Sequence, residues 1–307
     1  MANKKYDLII IGGGPAAIAA GIYAARAKIN TLIIAKTFGG QMTRKTVSIE
    51  NYPGFKSISG ADLVKKFVEH LQEYNVKIVS DSTGVIKKIG KTFSVKTAHE
   101  GWFDAMAVIV ASGADPRPLE VPGEKEFIGR GVSYCTACDA PIFADKAVAV
   151  IGGGNSGFEA ALALTKYAKK IYILEYAAEV KAEESNINLA QKSKKIKIMT
   201  SVEVKKILGD KFVSSVEYQN RRTGQAAALD VQGVFVEIGS IPATGFVKDL
   251  VDFNERDEII IDSRTCATKT AGLFAAGDVT DVQYKQIGIA AGEGVKALFS
   301  VANYLRK

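Results

Sequence analysis

The chain has 307 residues, about twice the length of a typical domain, so two domains or one large one are expected. Apolar residues make up 47% and charged residues 24%, a balance that excludes disorder as the main state. The net charge of +7 lacks the pattern of a nucleic-acid surface: the densest basic cluster, Lys192, Lys194, Lys195 and Lys197, has no interleaved aromatics and reads as a solvated face, better suited to an acidic protein partner.

Met1 to Lys5 lead into an apolar run without signal-peptide architecture, and no apolar stretch reaches the eighteen or so residues of a membrane helix. A cytoplasmic protein with no membrane partner is expected. Leu8-Ile9-Ile10-Ile11 then runs into Gly12-Gly13-Gly14-Pro15-Ala16-Ala17, an Ala-rich helical segment to about Lys28, and a second β-like run, Leu32-Ile33-Ile34. Strand, glycine turn, helix and strand form one βαβ unit, and unbroken apolar runs suit parallel strands buried on both faces. The same grammar returns at Val148-Ala149-Val150-Ile151, Gly152-Gly153-Gly154-Asn155-Ser156-Gly157, a helix from Phe158 to about Ala168, and Ile171-Tyr172-Ile173-Leu174-Glu175. Prolines 116 and 118 break the chain after Val108–Ala111, and Gly239-Ser240-Ile241-Pro242 breaks it after Val234–Ile238. The expected fold is therefore α/β, with two Rossmann-like nucleotide-binding domains, the second (117–244) inserted into the first (1–116 and 245–307). Within the insert, the turn Asn220–Gly224 predicts a hairpin. A final helix is predicted over about Gln286 to Leu305.

One G-x-G-x-x-G is a weak signal; two, each between an apolar run and a helix, imply two dinucleotides. The first glycine makes the turn, the second admits the pyrophosphate, and the third lets helix and strand pack closely. Gly152, Gly154 and Gly157 satisfy this fully, whereas Ala17 stands in for the third glycine after Gly12 and Gly14. Glu175 lies eighteen residues after Gly157, where an acid accepts the ribose hydroxyls of NAD and repels an added 2′-phosphate. Tyr176, Ala177 and Ala178 provide no compensating arginine. Lys36 and Thr37 occupy the matching place in the first unit, so its adenosine ribose must be held otherwise, for example by backbone N–H groups of Gly39-Gly40-Gln41.

Cys135-Thr136-Ala137-Cys138-Asp139 is the chemically richest segment. Cysteines three apart can bridge within a first helical turn, and Asp139 beside the second sulfur suits a general acid. Cys266, His70 and His99 share no ligand spacing with that pair, so no metal is expected and the C-x-x-C reads as redox.

These residues resemble the low-molecular-weight thioredoxin reductases and the NADH-dependent flavoprotein module of alkyl hydroperoxide reductase. The resemblance spans essentially the whole chain: Gly12–Ala17, Gly39-Gly40-Gln41, Glu50-Asn51-Tyr52-Pro53-Gly54, the break at 114–118, Val121-Pro122-Gly123-Glu124, the C-x-x-C-D, Gly152–Gly157 and Phe274-Ala275-Ala276-Gly277-Asp278. It implies FAD held by Gly12, Gly14, Pro15, Ala16, Gly40, Gln41, Asn51, Gly113, Asp278, Gln286 and Ile287. It implies a pyridine nucleotide held by Gly152, Gly154, Asn155, Ser156, Gly157 and Glu175. Where the NADPH-using reductases carry an arginine cluster, this chain has Glu175-Tyr176-Ala177, similar to the NADH-using branch, and Val180-Lys181-Ala182 also looks like that branch. The implied activity moves electrons from NADH through FAD to a Cys135–Cys138 disulfide, with Cys138 nearer the flavin and Asp139 handling the proton. The acceptor would be a thioredoxin-like or glutaredoxin-like protein, or a peroxiredoxin system. A homodimer is implied, as are hinges near 116 and 243. The chain begins at the FAD strand without the extra N-terminal thioredoxin-like module of the larger relatives, so the acceptor is expected to be a separate protein. Ala140 departs from the glycine usual after C-x-x-C-D. An NADH oxidase passing electrons to oxygen or peroxide is the rival enzyme reading, and a non-catalytic nucleotide sensor the rival outside catalysis.

Overall fold

The computed structural model describes residues 4–45, 49 and 51–306; Met1–Asn3 and Glu50, both named above, lie outside them. The chain forms two compact units, one of residues 1–44, 52–115 and 241–307 and the other of 45–51 and 116–240. Among the described residues no helix is long and apolar enough to cross a membrane.

In the first unit β1 (Lys4–Ile11) leads through the glycine turn to α1 (Pro15–Arg26) and β2 (Thr31–Ile34). The short α2 (Gln41–Lys45) and then α3 (Gly60–Gln72) follow; Ser59 caps α3 by accepting the Asp62 N–H at 3.0 Å. Next come β3 (Lys77–Val79), the hairpin of β4 (Thr83–Ile89) and β5 (Thr92–Thr97), and the long β6 (Trp102–Val110). β1 pairs in parallel with both β2 and β6, and all of Leu8–Ile11 is buried, as an unbroken apolar run requires. β6 is long because its edge opposite β1 serves two partners in turn: its first half meets β5 antiparallel and its second half runs on beyond β5. At Ala114–Pro116 (β7) the chain crosses into the second unit.

There β8 (Val132–Ser133) precedes the one-turn α4 (Thr136–Asp139), and β9 (Ala147–Ile151), α5 (Asn155–Leu164) and β10 (Lys170–Leu174) repeat the βαβ pattern. α5 starts directly at Asn155, three residues before the predicted Phe158, because the glycine turn is itself the helix entrance. α6 (Glu184–Lys192) and β11 (Ile196–Met199) follow, then a meander of β12 (Val202–Gly209), β13 (Val213–Asn220) and β14 (Ala226–Asp230), which contains the predicted hairpin. β15 (Gly233–Val236) completes a parallel sheet of order β11-β10-β9-β15-β8.

The chain returns through β16 (Ser240–Pro242), which pairs with β7, so the two crossings form one ribbon. β17 (Leu273–Ala275) then adds to the free second half of β6, and α7 (Ile287–Leu305) packs on α1. Gly294 makes that packing close: a Cβ there would stand 2.1 Å from the Ala16 carbonyl oxygen. Gly294→Ala is expected to cost about 3 kcal/mol, because the obstacle is backbone and cannot rotate away. Chemical denaturation followed by circular dichroism measures this, and an unchanged midpoint would contradict the packing argument.

Candidate functional site

Both glycine turns have the geometry their spacing predicts. Gly12 (φ 130°) and Gly152 (φ 119°) adopt conformations closed to other residues, and a Cβ would lie 2.1 Å from the Ala111 oxygen or 2.3 Å from the Glu237 oxygen. A Cβ on Gly157 would meet the Gly152 oxygen at 1.9 Å, which is the close helix–strand approach assigned to the third glycine. Gly14 and Gly154, in contrast, have nothing within 4 Å of that position, and as N-caps of α1 and α5 they bring no side-chain cap to the helix entrance. Each turn therefore presents open space in front of a helix N-terminus, which fits the pyrophosphate of a dinucleotide. Pro15 and Ala16 open α1; Asn155 and Ser156 open α5, and Asn155 Oδ1 accepts the Glu183 N–H at 2.6 Å.

The second turn is joined to its acid. Glu175 accepts the Gly153 N–H and the Ala177 N–H, each at 2.6 Å. A carboxylate has about four acceptor positions, so two remain for sugar hydroxyls. Two cations that no local sequence pattern reveals lie nearby. The hairpin turn places Arg221 over the Tyr176 ring, 3.7 Å from its centroid, with Nη1 donating to the Tyr176 oxygen at 3.1 Å. Arg222 donates to Ser201 Oγ at 3.0 Å and to the Ala178 oxygen at 3.3 Å. The peptide between Tyr176 and Ala177 thus gives its N–H to Glu175 and its carbonyl to Arg221, so carboxylate and guanidinium sit at opposite edges of one trans peptide plane. These arginines come from a distant hairpin, which is why the strand carrying the acid gives no sign of them.

In the first unit, Thr37 takes the acid's place with its backbone: a Cβ on Gly13 would lie 2.2 Å from the Thr37 oxygen. The Gly39 N–H is committed to the Gly13 oxygen at 2.8 Å, while Gly40 (φ 57°) lies beside Gly14. Gln41 Nε2 donates to Asp278 Oδ2 at 3.0 Å and also to the Ala114 oxygen, drawing three predicted segments together. Gly113 (φ 73°) accepts the Ala243 N–H at 3.0 Å. Gln286 stands at the N-cap position of α7 and Ile287 begins the helix. Asn51, by contrast, groups with the second unit. Beneath Asp278, the buried Glu293 accepts the Gly277 N–H at 2.9 Å, and burial raises its pKa above the usual carboxylate range.

Cys135 and Cys138 are joined as a disulfide with Cα atoms 5.3 Å apart, Cys135 at the N-cap of α4. Asp139 ends that turn. Burial pushes its pKa up, opposed by a 2.6 Å hydrogen bond from Ser133 Oγ. The Val121–Glu124 motif explains itself here: buried Glu124 accepts the N–H groups of Leu119 and Glu120 and the hydroxyl of Tyr134, fixing the strand that enters the cysteine turn. Thr136, between the cysteines, donates to Glu237 at 2.9 Å. Cys266 lies apart, in the first unit: fully buried, with burial pushing its thiol up to about 11. Among the described residues no group of three or more His, Cys, Asp or Glu could hold a metal ion.

The sequence profile of the pyridine nucleotide-disulphide oxidoreductases matches residues 6–294. A Staphylococcus epidermidis protein named as a subunit of alkyl hydroperoxide reductase is 37% identical over 304 residues, covering 99% of this chain and 60% of that protein. A Bacillus subtilis protein named NADH dehydrogenase is 39% identical over 303 residues, covering 99% of this chain and 59% of its own length. The chain thus spans about 60% of the length of these curated relatives. The crystal structure of a thioredoxin reductase from Streptococcus pyogenes is similar at a TM-score of 0.92 and 38% identity, covering 99% of both chains.

Proposed function

Because the chain belongs to the pyridine nucleotide-disulphide oxidoreductases, we propose that it is a flavin-dependent protein-disulfide reductase that takes its electrons from NADH. The observation that carries this reading is the Cys135–Cys138 disulfide, formed in the same unit as the second dinucleotide turn. When bound, FAD and NADH supply the hydride and electron-pair chemistry; the protein supplies seats, orientation and proton control.

The turn at Gly12–Gly14, with Gly40, Gln41, Gly113, Asp278, Gln286 and Ile287, would hold FAD in residues 1–116 and 245–307. The turn at Gly152–Gly157, with Glu175, would hold the nicotinamide nucleotide in 117–244. Once the pair is reduced, the Cys135 thiolate attacks a disulfide of a thioredoxin-like, glutaredoxin-like or peroxiredoxin-system partner and expels one partner thiolate. Cys138 then attacks Cys135, releases the second partner thiolate and restores the disulfide. Asp139, with its proton held more tightly than in an ordinary carboxyl, gives that proton to a departing thiolate. Cytoplasmic location and a homodimer go with this reading.

Glu175 supports NADH as the donor. Its carboxylate faces the glycine turn while Arg221 bonds the far edge of the following peptide, so a 2′-phosphate would meet the acid first. The name of the Bacillus relative points the same way. A repulsion of about 3 kcal/mol gives on the order of a hundredfold preference for NADH in kcat/KM. Glu175→Gln is expected to narrow that preference below about tenfold, read from steady-state rates with both nucleotides; equal use of both by the unaltered protein would refute the assignment. Anaerobic titration with NADH tests the reading as a whole: the flavin colour should bleach, and it should return when an oxidised thioredoxin-like protein is added.

A further inference from the structure

One carboxyl of the second unit has no part in the steps above. Glu237 follows β15 at the carboxyl end of the sheet, where β9 has β10 and β11 on one side and β15 and β8 on the other. Doubly wound sheets take their ligands at this reversal of strand order. The backbone of Glu237 abuts the glycine turn, as the Gly152 contact shows. Its side chain accepts the hydroxyl of Thr136, which is buried and directly follows Cys135. One residue thus adjoins the nucleotide turn through its main chain and the cysteine turn through its carboxylate. The titratable groups on the elements packed against it are Glu159 on α5 and, on α4 and its N-cap, the two cysteines and Asp139, the last bonded to Ser133.

We infer that Glu237 is the proton acceptor of the Cys135–Cys138 couple: as the disulfide is reduced and one sulfur becomes a thiolate, the neighbouring carboxylate takes up the balancing proton. Two electrons and one proton convert the disulfide into one thiol and one thiolate. A second proton converts the Glu237 carboxylate into the acid, so the net charge of the unit is unchanged. Burial first, with the like charge of Glu159 adding to it and the Thr136 hydrogen bond opposing it, pushes the Glu237 pKa up to about 7 in the disulfide form. A new negative charge on the turn that Thr136 shares with the cysteines raises that value further. Uptake therefore begins where Glu237 is ionised in the oxidised protein, above about pH 7.

The inference rests on the cysteine pair being a working redox couple, and its test separates the two. FAD-loaded protein is equilibrated anaerobically with mixtures of reduced and oxidised dithiothreitol between pH 6 and pH 8, quenched with an alkylating reagent, and its labelled cysteines are counted by mass. In Glu237→Gln, reduction releases one proton, so the exchange constant should rise about tenfold per pH unit throughout. The unaltered protein should follow that rise below pH 7 and flatten above it, leaving the two up to about tenfold apart at pH 8. Glu159→Gln, a change at an exposed residue, should start the flattening at lower pH. Superimposable profiles for Glu237→Gln and the unaltered protein would overturn the inference. A disulfide that dithiothreitol cannot reduce at any pH would instead overturn the redox reading beneath it.

Discussion

NADH-driven reduction of a thioredoxin-like acceptor is expected to fall by on the order of a thousandfold or more in either Cys135→Ser or Cys138→Ser. A serine hydroxyl is not ionised at neutral pH and forms no mixed disulfide, so the relay loses either its attacking or its resolving atom. The loss is chemical rather than structural. The bridge spans a sequence separation of 3 and constrains the unfolded chain little, contributing about 2 kcal/mol by loop closure. Both positions are half-buried, leaving room for a hydroxyl. The measurement is acceptor thiol formation beside oxygen consumption in the same samples. If acceptor reduction survived in both variants, the pair would be ornamental. If NADH were consumed at full rate with oxygen while acceptor reduction vanished, electrons would still reach the flavin, and only the outward path would have been cut.

The two glycine turns predict a crossed result of similar size. Gly12→Val should give protein that cannot retain FAD, and Gly152→Val should give yellow protein that NADH no longer bleaches. In each case the added carbon falls within 2.1 to 2.3 Å of a backbone oxygen, and φ near 120–130° adds strain of its own. Neither is relieved by rotating a side chain, so the turn must open, at a cost on the order of 3 kcal/mol or more. Visible absorbance after desalting reads flavin retention. NADH titration, with dithionite as a donor that needs no binding turn, reads the second seat. Both variants holding FAD and bleaching normally would remove the assignment of one nucleotide to each turn.

Much of this architecture is legible because it is written in local patterns. Leu8–Ile11 and Val148–Ile151 are unbroken apolar runs ending in glycine, and only a parallel strand buried on both faces explains a run with no polar alternation. The C-x-x-C is legible for the same reason: its three-residue spacing already fits a disulfide. What escapes is every contact made by topology. Arg221 and Arg222 reach the Tyr176–Ala178 loop from a hairpin turn, and Gln41 reaches Asp278 across most of the chain. Thr136 meets Glu237 only because β15 inserts beside β9. The segment after Glu175 holds no arginine, and nothing along that strand points to the two that fold over it. Of the three backbone N–H groups expected for the ribose at Gly39-Gly40-Gln41, that of Gly39 is already taken by the Gly13 oxygen, a pairing invisible in sequence.

The buried third cysteine simplifies experiments on the other two. Cys266 is sealed within the first unit, and at neutral pH its sulfur keeps its hydrogen. A maleimide or iodoacetamide count on folded protein therefore runs from zero in the oxidised form to two in the reduced form. A third label would report unfolding, so the same mass spectrum doubles as a check of integrity, and no cysteine-free background has to be engineered first.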